Sequence, residues 1–290
     1  MLYKDEADDL LMKIVYDKEE GIASVVGTLF SLLLFITLLS TFVTQYVPVY
    51  MKTNEEQHDM QVLSQFSQIR TEVDMLTITN DLNYSTYAPV TMGAPGIPLF
   101  AQQTVGELEI NPYAQNLSTQ FMNISFYYSN IGVVNLYAGG SIEFIAPNRY
   151  YVPESFIYFN GALVRTNLAQ NNASVILVGS DFSATNSNGG VHLSFVMQHI
   201  YGVSNVVTGT DTRGIEITLF GTQKNVYSLS NQDLNVTFNT TFNAAMLQYY
   251  KSIASSNQVN TNTLNSNKLE FTNVVSVTVL NVYLYVTITQ

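Results

Sequence analysis

The chain contains no cysteine among its 290 residues. That excludes a disulfide framework and a thiolate metal site. A β domain of the size that follows the N-terminal helix can bury an adequate core without such staples, so the redox compartment stays open. Charge is the second scarcity. Residues 81–290 hold 10 of the 22 acidic and 6 of the 11 basic side chains, far below the roughly 25% charged residues of ordinary soluble domains. Asn, Ser, Thr, Gln and Tyr supply the polarity instead. No basic patch is present, which argues against nucleic acid as a partner. So few titrating groups imply a weak response of stability to low pH. The composition is also unlike the Lys/Glu-rich ion-pair networks of hyperthermophile proteins. An acidic external medium and a neutral outer surface both fit.

Catalytic signatures are missing too. There is no phosphate-binding Gly-rich loop with Lys-Ser/Thr, no HExxH and no Gly-x-Ser-x-Gly. His192 and His199, seven apart in an expected strand, point to opposite faces and cannot share a metal. His58, with Asp59 beside it and Glu55 nearby, reads as a solvated helical face rather than a ligand cluster. Glu107 and Glu109 share one face of an expected edge strand, where they read as surface charges rather than an acid–base pair. No catalytic, cofactor-binding or metal site is expected, and no enzyme. The 19 tyrosines read first as core and cross-strand packing residues. Tyr150-Tyr151, Tyr249-Tyr250 and Tyr283/Tyr285 are the groups that could stack on sugars or partners.

What is present begins with an uncharged run from Ile22 to Met51. At about 1.5 Å per residue it is long enough to cross a hydrocarbon core of about 30 Å. Tyr46 and Tyr50 sit where an aromatic belt is expected, and Lys52 closes the run. The run is too long, and lacks the small-residue cleavage site, for an ordinary secretory signal. Lys4, Lys13 and Lys18 precede it and Lys52 alone follows closely, which favours an inside N-terminus. Six Asn-x-Ser/Thr sequons, at Asn83, Asn116, Asn123, Asn172, Asn235 and Asn239, all follow it and favour an extracellular C-terminal part.

Beyond the span, Val62, Phe66, Ile69, Val73 and Leu76 form a heptad-type stripe. It implies one helix from about Ala23 to Ile78, with a kink at Pro48. The stripe packs either on the chain's own β domain or on neighbouring copies of the helix. From Asp81 the period becomes two. Strands are expected at Thr119–Tyr127, Gly132–Tyr137, Ser141–Ile145, Ser155–Phe159, Ala162–Arg165, Ser174–Val178, His192–His199, Gly214–Phe220, Leu234–Phe238 and at the alternating C-terminus. Asn160-Gly161 is a strong hairpin signal. Thr185–Gly190 and Ser255–Asn267 read as polar breaks, and Gly93–Pro98 as a turn cluster. Phe242, Met246, Tyr249 and Ile253 suggest one short helix, with Thr240 as its N-cap.

The expected fold class is mainly β with a long N-terminal α-helix: an antiparallel β-sandwich ectodomain on a single transmembrane helix. Residues 1–21 form a cytoplasmic leader or tail. Residues 22–80 form the long helix, transmembrane over about 22–50 and extracellular over 51–80. Residues 81–290 form the sandwich, with the short helix at about 241–254.

The segment Glu20-Gly21-Ile22-Ala23-Ser24-Val25-Val26-Gly27-Thr28, followed by the apolar run, resembles the N-terminus of archaeal type IV pilin-like proteins. Two further stretches are similar to archaeal membrane-anchored surface proteins with this start. One is Tyr46-Val47-Pro48-Val49-Tyr50-Met51, followed by Glu56, His58 and Gln65-Phe66. The other runs from Tyr150-Tyr151 through Phe156-Ile157-Tyr158-Phe159-Asn160-Gly161-Ala162. The pilin-like resemblance implies cleavage after Gly21, a mature chain starting at Ile22, and helices packed in a filament core. Glu19-Glu20 depart from the family's basic leader, so cleavage and permanent anchoring stay open. The expected function is a non-catalytic pilin-like cell-surface protein, a subunit of or relative of a type IV pilus-like filament. The alternative is a permanently anchored extracellular binding domain for glycan or protein. Membrane lipid and other copies of the helix are the expected partners.

Overall fold

The computed structural model describes residues 24–113, 120–129, 131–187 and 189–289. Helix α1 runs from Ser24 to Thr79. No glycine interrupts it after Gly27. It ends because Asn80 turns left-handed (φ 53°) and returns its N–H to Leu76 O, 3.0 Å away. The irregularity expected at Pro48 takes the form of a π turn, Phe42–Tyr46, just before it. Proline cannot donate to the carbonyl four residues back, and widening the preceding turn by one residue accommodates that loss without breaking the helix. The hydroxyls of Thr28, Thr37, Thr41 and Thr44 bond back to carbonyls of the preceding turn, which satisfies these four within the helix.

The two halves of α1 have opposite surroundings. Ser24–Tyr46 is exposed at every residue. From Val47 onward one stripe is buried: Val47, Met51, Glu55, His58, Asp59, Val62, Phe66, Ile69, Val73 and Leu76. The stripe therefore packs on the chain's own sheets.

Strand occupies 52% of the described residues, so the fold is mainly β. In chain order the strands are β1 (Ser85–Thr91), β2 (Gly106–Asn111), β3 (Phe121–Tyr128), β4 (Gly132–Gly139), β5 (Ser141–Ala146), β6 (Glu154–Phe159), β7 (Ala162–Asn167) and β8 (Ala173–Val178). There follow β9 (Phe182–Ser187), β10 (Gly190–Tyr201), β11 (Asn205–Gly209) and β12 (Thr212–Asn239). Helix α2 (Asn243–Ser256) then precedes β13 (Thr261–Asn265) and β14 (Lys268–Thr289). The smaller sheet, in order β11-β2-β5-β6-β7-β8, is antiparallel throughout. The larger sheet is mixed, which corrects the antiparallel expectation. β10 runs parallel to β14 along eleven paired residues and meets β4 in parallel at His199. β10 reaches that place only after the chain has crossed through β5–β8, and β14 only after β12 and α2. Such crossovers permit parallel pairing, and alternation of residues along one strand carries no record of direction.

The axis of the larger sheet is the β12/β14 pair, which runs from Gly214 opposite Thr289 to Thr237 opposite Lys268. Its two ends serve two cores. Ile215, Ile217, Leu219, Val282, Leu284 and Val286 join the α1 stripe and β1. Leu234, Val236, Leu269 and Phe271 join α2, β3 and β10. Strand β6 belongs to both cores, with Phe156 and Tyr158 toward α1 and Ile157 and Phe159 toward α2. The Asn160-Gly161 hairpin is present, with both residues at positive φ (47° and 77°), as a type I′ turn demands.

Three local expectations shift. The segments read as polar breaks take in the end of β9 and the whole of β13, short outer strands that are largely exposed there. α2 begins at Asn243 with Phe242 at its N-cap and no side-chain cap, so Thr240 lies outside it. Its buried face is Met246, Leu247, Tyr250 and Ala254, about a residue's rotation from the stripe expected through Tyr249 and Ile253.

Candidate functional site

The exposed half of α1 and its junction with the sheets define the most distinctive region of the molecule. Among the described residues α1 is one helix long and apolar enough to cross a membrane. Val25, Leu29, Phe30, Leu33, Phe35, Ile36, Leu38 and their neighbours present a continuous apolar surface, which in water is an unstable arrangement unless lipid or other helices cover it.

The junction overturns the solvated reading of His58, Asp59 and Glu55, since all three are buried. Glu55 is 0% exposed. Its Oε1 accepts from Thr104 Oγ1 (2.7 Å) and the Arg149 N–H (3.1 Å), and its Oε2 from the N–H groups of Tyr150 and Tyr151 (both 2.7 Å). One carboxylate thus holds the loop between β5 and β6 through three consecutive amides. Asp59 Oδ2 accepts from Asn148 Nδ2 at 2.6 Å, and that amide also donates to Val152 O. Burial pushes the Asp59 carboxyl above the usual aspartate range, against the stabilising pull of His58 and Asn148. His58 Nε2 donates to Thr91 O (2.9 Å) and its ring lies against Phe144. Gln61 and Gln65 donate to the Thr91 hydroxyl, and the Thr91 N–H donates back to Gln65. Further along, Glu72 accepts from Thr86 and Arg70 pairs with Asp181. The groups are consumed by holding α1 to the sheets. The adjacent cleft of about 50 Å³, lined by Asp59, Tyr151, Glu154 and Arg165 among others, has room for water at most. Within it Arg165 forms a two-pronged pair with the buried Glu154 carboxylate.

Glu107 and Glu109 do share a face of β2, but β2 is covered by β11 and is not an edge. Register places Glu143 of β5 directly opposite Glu109. Burial, then Glu109 and Glu107, push the Glu143 carboxyl up, while Ser155 lowers it. No group of His, Cys, Asp or Glu side chains among the described residues has the geometry of a metal site. Sequence reading missed Glu143 because only the β2–β5 register brings it to the pair.

His192 and His199 lie apart as their spacing requires. His192 Nδ1 pairs with Ser276 Oγ (2.7 Å). His199 pairs with Asn281 Oδ1 (3.2 Å) and stacks on Tyr283, with centroids 4.7 Å apart. Around it Tyr113, Tyr201 and Phe220 form a chain of edge-to-face and tilted rings, with Phe220 and Tyr285 exposed. Of the tyrosine groups singled out, Tyr283 joins this patch, while Tyr250 is buried in the α2 core and donates to Met122 Sδ. Tyr249 bonds Ser180 O. Tyr150 and Tyr151 border an open groove with Lys52, Asn167 and Gln170.

The sequons divide by exposure. Asn83 and Asn172 are exposed turn residues, and Asn239 is exposed at the end of β12. Asn123 and Asn235 are half-buried in the neighbouring strands β3 and β12, and each has its amide oxygen buried. Asn116, and Gly21 and Ile22 of the expected cleavage position, lie outside the described residues. Comparison with known protein families, curated proteins and solved structures finds no match to this chain.

Proposed function

We propose that this protein is a non-catalytic, pilin-like cell-surface protein, held in the membrane by the exposed half of α1 with its β domain outside. The carrying observation is the division of one helix. Ser24–Tyr46 touches solvent at every residue while the buried stripe from Val47 to Leu76 is built into the domain. An apolar helix rooted this way in a rigid body can be covered by lipid, or in an assembly by the same helix of other copies. The small residues Ser24, Gly27 and Thr28 favour close helix approach. On this reading Gly21–Ile22 is the processing position, filament subunit is the assembled form, and the buried polar groups at the junction are structural. Mass measurement of the native N-terminus, combined with electron microscopy of cell surfaces, tests it. A chain starting at Ile22, and filaments lost when Gly21 is replaced by a bulky residue, are expected. An intact leader on cells that bear no filaments would remove the assembled form.

The second reading, a permanent anchor presenting a binding domain, draws support from the aromatic patch of Tyr201, Phe220, Tyr283 and Tyr285. Half-exposed rings on a rigid sheet suit stacking on a sugar face. Loss of cell or glycan binding on Phe220→Ala and Tyr285→Ala, with the fold retained, would favour it.

A further inference from the structure

The turn Ile97-Pro98-Leu99-Phe100 closes a tight hairpin-like loop beside the apolar helix. Backbone pairs tie Ala94 to Thr104 and Ile97 to Ala101, and the Phe100 N–H reaches Ile97 O at 3.0 Å. Gly96 is required for the closure, since a Cβ there would lie 2.4 Å from Ala101 O. The loop is also fastened to α1: Asn54 Nδ2 donates to Pro95 O (2.9 Å), and Thr104 bonds the buried Glu55. It is a built projection with a defined tip.

That tip is Leu99. It stands at φ 69°, the third position of a turn that ordinarily takes Gly or Asn, and its side chain is 101% exposed. A leucine here is unfavourable twice in water, by backbone strain and by complete exposure of an apolar side chain. Glycine or asparagine would remove both penalties. Phe100, half-exposed beside it, contacts Phe42 of α1 edge-on, with ring centroids 5.1 Å apart. Phe42 precedes Tyr46, Tyr50 and Lys52, the interfacial anchors. At 1.5 Å per residue it lies about 12 Å deeper than Tyr50 along the helix axis. Residues 93–106 carry no charge.

We propose that the Ile97–Ala101 turn dips into the outer leaflet next to α1, burying Leu99 and Phe100 among lipid acyl chains as a second membrane contact. This rests on the reading of α1 as a membrane helix. The contact fixes how the β domain leans on the bilayer, because a single helix leaves rotation about its axis free and an off-axis wedge does not. Burial of apolar residues some 5–10 Å below the headgroup boundary is the ordinary depth for such an element.

The absence of native cysteine allows a direct test. Full-length protein carrying Leu99→Cys, Phe42→Cys or Asn262→Cys, each labelled with an environment-sensitive fluorophore, is reconstituted at high dilution into phosphatidylcholine/phosphatidylglycerol vesicles containing spin-labelled lipid. Leu99 makes no packing contact in the fold, so its replacement leaves folding intact. Blue-shifted, lipid-quenched emission is expected at 99 and 42, with position 262, on the outer strand β13, unquenched. Quenching at 42 but not at 99 overturns the wedge and leaves the anchor standing. Quenching at neither position removes the anchor reading itself. A blue shift at 99 that comes only with rising protein-to-lipid ratio, without quenching, assigns the tip to a second copy of the chain and also overturns the proposal.

Discussion

Glu55→Gln should be far more damaging than its size suggests. The substitution keeps the volume of the side chain and removes its charge, and it turns one of the two acceptor oxygens into an NH2 donor. Each oxygen receives two donors in the native structure: Thr104 Oγ1 and the Arg149 N–H at one, and the Tyr150 and Tyr151 N–H groups at the other. Either orientation of the new amide therefore sets a donor against two donors. A hydrogen bond to a charged group contributes about 1.5–3 kcal/mol, and a buried donor left unpaired costs about 1–3 kcal/mol. The Thr104 hydroxyl can rotate, whereas the backbone amides cannot. A loss of about 3–5 kcal/mol follows for the orientation that spares the Tyr150–Tyr151 side, the usual size for breaking a buried charged contact. For a domain of this size that corresponds to a fall in Tm of roughly 6–20 °C. Thermal unfolding in detergent micelles reads the global effect. Hydrogen exchange at the amides of 149–151 reads the local one, which should accelerate even where the rest of the fold stays protected. A variant that melts within a degree of the parent, with unchanged exchange at these amides, would refute the assignment of Glu55 as the tie between α1 and the β5–β6 loop.

Removing α1 altogether should expose Val62, Phe66, Ile69, Val73 and Leu76, all buried; a chain beginning at residue 81 should aggregate where one beginning at Met51 stays soluble, and Phe66→Ala alone should cost about 3–5 kcal/mol in chemical denaturation. If the sequons are used, glycopeptide mass spectrometry should find Asn83, Asn172 and Asn239 occupied and Asn123 and Asn235 bare, because the latter pair sits half-buried in strand ladders. The pH profile should lean acidic. Burial raises Asp59, Asp74 and Glu143, so in the folded chain they keep protons to higher pH than in the unfolded one. The stability they add is complete below the unfolded values of 3.8 for Asp and 4.5 for Glu, and it is lost as pH rises through the folded values. His199, lowered by burial, acts oppositely: stability is lost as pH falls through its unfolded value of 6.5 and on through its folded one. With three carboxyls against one imidazole, the denaturation midpoint should hold or rise from pH 6 to pH 4, and Asp59→Asn should flatten part of that rise; a steady fall over this range would contradict it.

The helix and most strands were legible in the residues because their periods are strong. The stripe Val62-Phe66-Ile69-Val73-Leu76, the alternation at the C-terminus and the Asn160-Gly161 turn each state their geometry locally. The junction was hidden by the chemistry of its members. Continued toward the N-terminus, the same 3-and-4 spacing passes from Val62 to His58, Glu55, Met51 and Val47, all buried. A search for apolar residues stops at Val62, and polar side chains are taken for solvent. The spacing was the available signal. Strand direction, the pairing of Glu143 with Glu109, and the chain of rings around His199 depend on which strands become neighbours, and no local pattern records that. β12 shows the same limit from the other side. Its middle, Thr222–Gln232, has weak alternation, yet it remains strand because the β14 partner runs alongside it despite the register shift between Ser228 and Gln232.

The placement of polar groups along α1 has a mechanical logic. A repeating apolar stripe packed on a sheet tolerates a slip of one turn, since Val62, Phe66, Ile69 and Val73 are all branched or aromatic groups that fill similar spaces. Glu55 tolerates none: a shift of one turn, about 5.4 Å, would carry its carboxylate beyond the reach of all four donors and leave a buried charge unpaired. The same holds for His58 on Thr91 O and Asp59 on Asn148. These three stand near the N-terminal end of the buried stripe, after Val47 and Met51 and ahead of the apolar run that begins at Val62. Any pull on the helix, whether from lipid or from neighbouring helices in an assembly, reaches the domain there first. A directional lock at that point holds the Ile97–Ala101 loop, fastened through Asn54 and Glu55, at a fixed depth beside Phe42. The register of the helix in the domain and the height of the loop against the apolar segment are therefore one structural variable, set by Glu55.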